Sequence, residues 1–301
     1  MNNKTLVITL KTEIDNDNAP YLLKYDPIED RKGSMLLWDA GLSRLSVAPK
    51  IGDELDNILN TYSEGLSCAL KLGRGNFGDD QHNSYIVREL TSKGGIHFIV
   101  SQAYAGDNWL TINNRLEANT TLQETIRSKI MGANPNIFVS VWERVTRNAP
   151  INSSAPEMAY ISSDSSISDY VFAKQVDETL PRLSSTSTAN NLLNKKSDDI
   201  TILGIPNKHV LNLKGFAGQG VLSDTKLNFV VFGTVAPWGG SQYLNKSPSK
   251  IIYRIYVEDL NLSGRTYAQV KAIDDVEFAK AFSLGGRFHG DSWSNPASVL
   301  P

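Results

Sequence analysis

Cysteine is almost missing from this 301-residue chain: Cys68 stands alone, so no intrachain disulfide can brace the fold. Its default role is a small buried apolar residue. Histidine is scarce too. His82, His97, His209 and His289 lie far apart, and none has the i, i+4 partner or adjacent cysteine of a metal site. Neither a metal nor a cofactor is therefore expected. An excess of one charge is also lacking, since 30 Lys and Arg face 32 Asp and Glu for a net −2. That balance argues against nucleic-acid binding, which needs a strongly basic face or tail. No segment approaches the ~20 apolar residues that cross a bilayer, and the longest runs, Phe229 to Phe232 among them, are strand-sized. Leu6 to Thr12 alternates apolar and polar residues, which predicts a strand rather than a signal peptide. The expected localisation is cytoplasmic synthesis, with release or association with a particle left open.

What the chain does have is 25 Asn and 30 Ser, residues that favour turns, caps and strand edges. Five Trp, eleven Tyr and ten Phe supply enough core-forming surface to exclude disorder throughout. Turn signals recur every ~8–12 residues, which suggests sandwich-like sheets. The expected fold is α+β and mainly β, with antiparallel sheets and three or four peripheral helices. Hairpins are expected at Ser34–Trp38 with Leu42–Val47, and at Tyr85–Leu90 with Ile96–Tyr104. Further strands are expected at His209–Leu213, Leu227–Val235 and Lys250–Val257. Apolar spacing predicts helices over Asp53–Leu66, capped by Asp53, and over Thr121–Met131, where Thr121 and Glu124 make a capping-box pattern. A third, over Tyr267–Phe282, would place Val270, Ile273, Phe278 and Phe282 on one side and end at Gly285-Gly286. Coarsely, residues 1–116 form a β-rich N-terminal part and 117–301 a C-terminal part. The latter contains a Ser/Thr/Asn-rich middle (148–196) and a strand–helix–aromatic tail unit (250–301).

Several motifs touch chemistry. Gly73-Arg74-Gly75-Asn76-Phe77-Gly78 matches G-x-G-x-x-G, but Asp79-Asp80 follow it and would repel phosphate, so a glycine-rich loop is the expectation. Gly290-Asp291-Ser292 resembles the tripeptide around the chymotrypsin-like nucleophile, without the flanking residues that shape an oxyanion hole. Val141-Trp142-Glu143-Arg144, Ser185-Thr186-Ser187 and a late acid, Glu258 or Glu277, follow one another in order. This order resembles the Arg–Ser–Glu arrangement of mono-ADP-ribosyltransferase toxins. The resemblance implies that Arg144 grips the pyrophosphate of NAD, Ser185 braces the nicotinamide pocket and Glu258 stabilises an oxocarbenium ion. Neither acid belongs to the Glu-x-Glu of that family.

Aromatic loop clusters carry a different expectation. Trp109 follows Asp107-Asn108, Trp238 sits in Pro237-Trp238-Gly239-Gly240, and Trp293 follows Asp291-Ser292. A carboxylate or amide beside an exposed ring suits a sugar, whose hydroxyls hydrogen-bond while its apolar face stacks. Trp109, Asp107, Trp238, Trp293 and Asp291 are therefore the candidate ligand-binding residues. The functional expectation is a non-catalytic binding or assembly protein. It would be a subunit of a larger particle, such as a phage, virus or toxin assembly, or a carbohydrate-binding protein. Its partners would be copies of itself, other protein subunits or glycans. The alternative is a toxin-like mono-ADP-ribosyltransferase using Arg144, Ser185 and Glu258.

Overall fold

The computed structural model describes residues 26–61 (except 31, 44 and 51), 70–73, 85–102, 114–119, 136–148, 160–163, 203–214, 227–234 and 248–301. It also describes 121, 122, 124, 125 and 129. The expected strand over Leu6–Thr12, the glycine-rich loop beyond Gly73 and Cys68 lie outside these residues. So do the middle segment save Asn148 and 160–163, and Asp107, Trp109, Ser185 and Trp238.

Two antiparallel sheets make the fold, which is α+β and mainly β. The larger has the order β4 (Ile86–Leu90), β5 (Ile96–Val100), β11 (Ser249–Asp259), β7 (Asn136–Arg147), β9 (Pro206–Lys214), with β1 (Ser34–Asp39) also on β11. The smaller has the order β2 (Glu54–Leu55), β3 (Leu70–Gly73), β6 (Asn114–Ala118), β10 (Leu227–Thr234), β8 (Tyr160–Ser163). Each sheet draws strands from both sides of residue 116. The centre is β11, rich in the branched and aromatic residues that suit a pleated surface and buried along its whole length. One of its edges pairs with β7, while the other serves two strands end to end, β5 at Lys250–Ile252 and β1 at Arg254–Glu258.

Alternation divides β7 between two environments. Ile137, Val139 and Val141 join a core that includes Leu55, Leu70 and Leu116 of the smaller sheet. Phe138, Ser140 and Trp142 meet the long helix Tyr267–Phe282: Phe138 packs on Tyr267 at 5.7 Å and Trp142 edge-on to Phe278 at 5.4 Å. Both faces of the sheet are thus covered, which explains why apolar residues occupy both alternating sets of positions in β7 and β11. Among the described residues no helix is long and apolar enough to cross a membrane.

The hairpin of β4 and β5 and the bounds of the long helix match expectation. Thr266 caps that helix in a capping box with Gln269. The expected side does pack on the sheet, with Ile273, Phe278 and Phe282 half-buried against the core, and the most deeply buried positions are Val270, Asp274, Glu277 and Ala281. Of these two carboxylates, Glu277 pairs with Lys280 of the same helix, while Asp274 turns inward because the sheet offers donors. Asp274 accepts from Ser140 Oγ (2.7 Å) and Trp142 Nε1 (3.0 Å), and Lys208 Nζ lies 3.5 Å away.

Elsewhere the structure corrects the sequence reading. Leu42–Val47 is not the return strand of a hairpin: the chain turns at Asp39, and β1 instead pairs with β11. Leu42 and Val47 stay exposed, so the more apolar β11 wins β1 as its partner. No helix runs through 53–61. Glu54–Leu55 pairs with β3, and the Asn57 amide bonds Met35 O and Leu37 N of β1 before one 3₁₀ turn, Ile58–Thr61. A short polar side chain that satisfies a strand edge competes with the helix. Before the second helix, Asn119 rather than Thr121 accepts from the Leu122 amide (3.0 Å).

Candidate functional site

The C-terminal tail after Phe282 crosses the same face of the larger sheet as the long helix. Phe288 N bonds Ala281 O, and its ring joins Tyr253 (4.8 Å) and Phe282 (5.3 Å). Asp291 then locks the tail to the turn between β4 and β5. Its Oδ1 accepts from Lys93 N (2.8 Å) and Ser92 Oγ (3.1 Å), and its Oδ2 from the Tyr253 hydroxyl (2.7 Å). Burial and the Asp291 carboxylate push the Tyr253 hydroxyl far above its ordinary pKa, so it stays a proton donor. Further along, Ser294 N donates to Glu89 Oε1, which also bonds His97 Nδ1 (2.8 Å each). Burial lowers the His97 pKa against the opposing pull of Glu89, favouring a neutral ring. Its Nε2 meets Thr146 Oγ1 (2.8 Å).

This docking brings Trp293 over Arg144. A register shift between Ile252 and Arg254 is a β-bulge that turns Tyr253 and Arg254 to the same face. Tyr253 meets the end of the long helix, its ring edge-on to Phe282 at 5.1 Å. The Arg144 guanidinium sits 4.7 Å from the Trp293 ring centre, 5.8 Å from Tyr253 and 6.0 Å from Phe282. Among the described residues it has no carboxylate partner and no hydrogen bond, and its Nε is buried without an acceptor. The Trp293 indole N–H has no partner among them either.

Among the described residues a second arginine on the same face differs from Arg144 in having two carboxylates on its terminal nitrogens, although its Nε is likewise buried without an acceptor. Arg254, wholly buried, donates to both oxygens of Asp26 (2.6 and 2.9 Å) and to Asp39 (2.8 Å), and stacks 4.7 Å over Trp142. Burial alone would lower its pKa, but these carboxylates raise it above the ordinary arginine value. Arg287 shares Asp39 (2.6 Å) and lies 5.3 Å from Trp142. Two cations and two carboxylates neutralise one another there, whereas Arg144 has aromatic rings and, among the described residues, no carboxylate paired with it.

On the opposite face, towards the smaller sheet, Glu143 forms a buried cluster with His209 Nε2 (2.7 Å) and Lys250 Nζ (3.2 Å). Burial pushes the Glu143 pKa up, but Lys250 and His209 outweigh it and bring it down to about 2. All three groups are enclosed, which suits a structural ion pair rather than contact with a substrate. Among the described residues no group of three or more His, Cys, Asp or Glu is arranged to hold a metal.

The sequence-derived candidates separate as follows. Arg144, Trp293 and Asp291, read for different reasons, come together. Asp291 is buried and its oxygens are taken by the protein, so it braces the tail and is not offered to a ligand. Glu258 is also buried and consumed, accepting from Tyr256 OH (2.8 Å) and from Arg265. It stands seven residues along β11 from Ile251, the cross-strand partner of Arg144, or roughly 20 Å at strand rise. Arg144 and Glu258 therefore do not converge. Tyr253 and Phe282 had no signal as site residues, because a bulge in a long apolar strand has no sequence signature. No family model, curated protein or solved structure matches the chain.

Proposed function

We propose that this chain is a non-catalytic binding or assembly protein, and that glycan binding at the Arg144–Trp293 face is the form its geometry supports best. The observation that carries the reading is an arginine set among Trp293, Tyr253 and Phe282 that has no counter-ion among the described residues. Stacking without a charge partner leaves part of an arginine's interaction capacity unused. The acids proposed for catalysis are committed within the fold, Glu258 to Arg265 and Tyr256, and Glu277 to Lys280 (2.7 Å). ADP-ribosyl transfer would need Arg144 and such an acid on one substrate, and the roughly 20 Å between Arg144 and Glu258 along the sheet weighs against it.

The test is a glycan array probed with the full chain and with Trp293→Ala, both checked for an unchanged thermal transition. Binding that disappears in the variant is the expected result. A second reading, a subunit of a larger particle, is favoured by Leu203, Ile205 and Leu284, which are 50%, 53% and 87% exposed. An empty array together with a discrete oligomer by light scattering would move the assignment to that reading.

A further inference from the structure

We infer that the Arg144–Trp293 face takes an acidic sugar, a pyranose bearing a carboxylate, with the carboxylate on Arg144 and the ring against the indole. The inference rests on the glycan-binding reading and names its ligand class. Its starting point is an imbalance between donors and acceptors. The Arg144 guanidinium and the Trp293 N–H, all donors, are unpartnered among the described residues. The nearby carboxylate, Asp291, already receives Lys93 N, Ser92 Oγ and Tyr253 OH. A neutral sugar, whose hydroxyls seek acceptors as well as donors, finds only half of what it needs. A carboxylate brings acceptors only, and arginine's planar fork matches it in bidentate fashion.

The aromatic component decides between classes of acid. An acidic peptide side chain would satisfy the guanidinium but has no flat apolar face for Trp293. A pyranose has both, its C–H face for the ring and its carboxylate for the cation. The guanidinium is also held in advance. Rings within 6.0 Å restrict it, so little side-chain freedom is lost on binding.

The experiment is isothermal titration of the full chain with three probes: a glucuronate-containing oligosaccharide, its neutral glucose counterpart and an oligoglutamate peptide. The glucuronate probe is expected to bind at least tenfold more tightly than the others. Arg144→Gln should weaken it by on the order of 10- to 100-fold, as a charge-assisted hydrogen bond implies. Arg144→Lys, which keeps the charge and loses the fork, should weaken it less. Equal binding of the acidic and neutral sugars, reduced in Trp293→Ala, would overturn the acidic class while glycan binding stood. Binding of oligoglutamate alone, or of no probe by a chain that also leaves the glycan array empty, would overturn both. Should Arg144→Gln fail to fold, Trp293→Phe serves: it should retain the preference for acid with weaker affinity, and loss of that preference would refute the geometry.

Discussion

Removing the Asp274 carboxylate tests whether the inward-facing charge of the long helix holds the helix to the sheet. In Asp274→Ala, Trp142 Nε1 and Ser140 Oγ lose their acceptor in a buried position, and Lys208 loses its 3.5 Å carboxylate contact while keeping Asp275. A buried donor left without a partner costs about 1–3 kcal/mol. The Ser140 hydroxyl can rotate towards another acceptor and so belongs at the low end, while the indole N–H cannot. With the weakened Lys208 pair the loss comes to roughly 3–5 kcal/mol, a large share of the ~5–15 kcal/mol that stabilises a typical domain. Asp274→Asn keeps an oxygen for Trp142 but turns the other acceptor into an NH2 donor facing Ser140 and Lys208, so it should cost about half as much, since the Ser140 hydroxyl can rotate to accept. Urea unfolding followed by tryptophan fluorescence reads both variants, with an unchanged slope confirming that the difference lies in stability. The loss should persist at high salt, because a buried group is poorly screened. If Ala and Asn cost the same and less than about 1 kcal/mol, the carboxylate is a passenger and the helix is held by its apolar side chains, Val270, Phe278 and Phe282 among them.

Other expectations follow the same physics. Glu143 has a folded pKa of about 2 against an ordinary 4.5, so its contribution is complete above 4.5 and fades as pH falls towards 2. Roughly 3 kcal/mol of stability should disappear across that window; Glu143→Gln should flatten the decline, and an equally steep variant would refute the assignment. Gly286→Ala would place a methyl group 2.1 Å from Lys280 O and 2.5 Å from Ala281 O, both backbone. A loss of about 1–3 kcal/mol in thermal or urea unfolding is expected, and a neutral result would show that the tail can shift. Thr266→Ala removes the acceptor for Gln269 N at the start of the long helix and should cost about 1 kcal/mol, read as a lower urea midpoint; an unchanged midpoint would show that the cap contributes nothing.

The long helix was legible because its signals are local, apolar residues at helical spacing and a Gly pair after it. The burial of Asp274 was not, since that side chain turns inward only because Ser140, Trp142 and Lys208 await it on distant strands. Local reading also failed at Asp53–Leu66, where apolar spacing fits a helix but Asn57 completes the edge of β1. The candidate site was half visible. Arg144 stood out beside an aromatic in a strand and Trp293 stood out in a polar tail. Their meeting depends on a bulge at Tyr253 and on a tail that folds back over the sheet, neither of which any window of sequence encodes.

The double occupancy of one β11 edge also has a consequence in time. Strand β1 and the β4–β5 hairpin both find their neighbour in β11, made roughly 200 residues after β1. At a synthesis rate of ~5–20 residues per second, β1 waits roughly 10–40 s on the ribosome before its partner exists. For that interval the apolar stretch Met35 to Trp38 is an open strand with nothing to pair with. The nascent chain is then most exposed to aggregation, and a holding chaperone would matter more for its yield than any property of the finished fold.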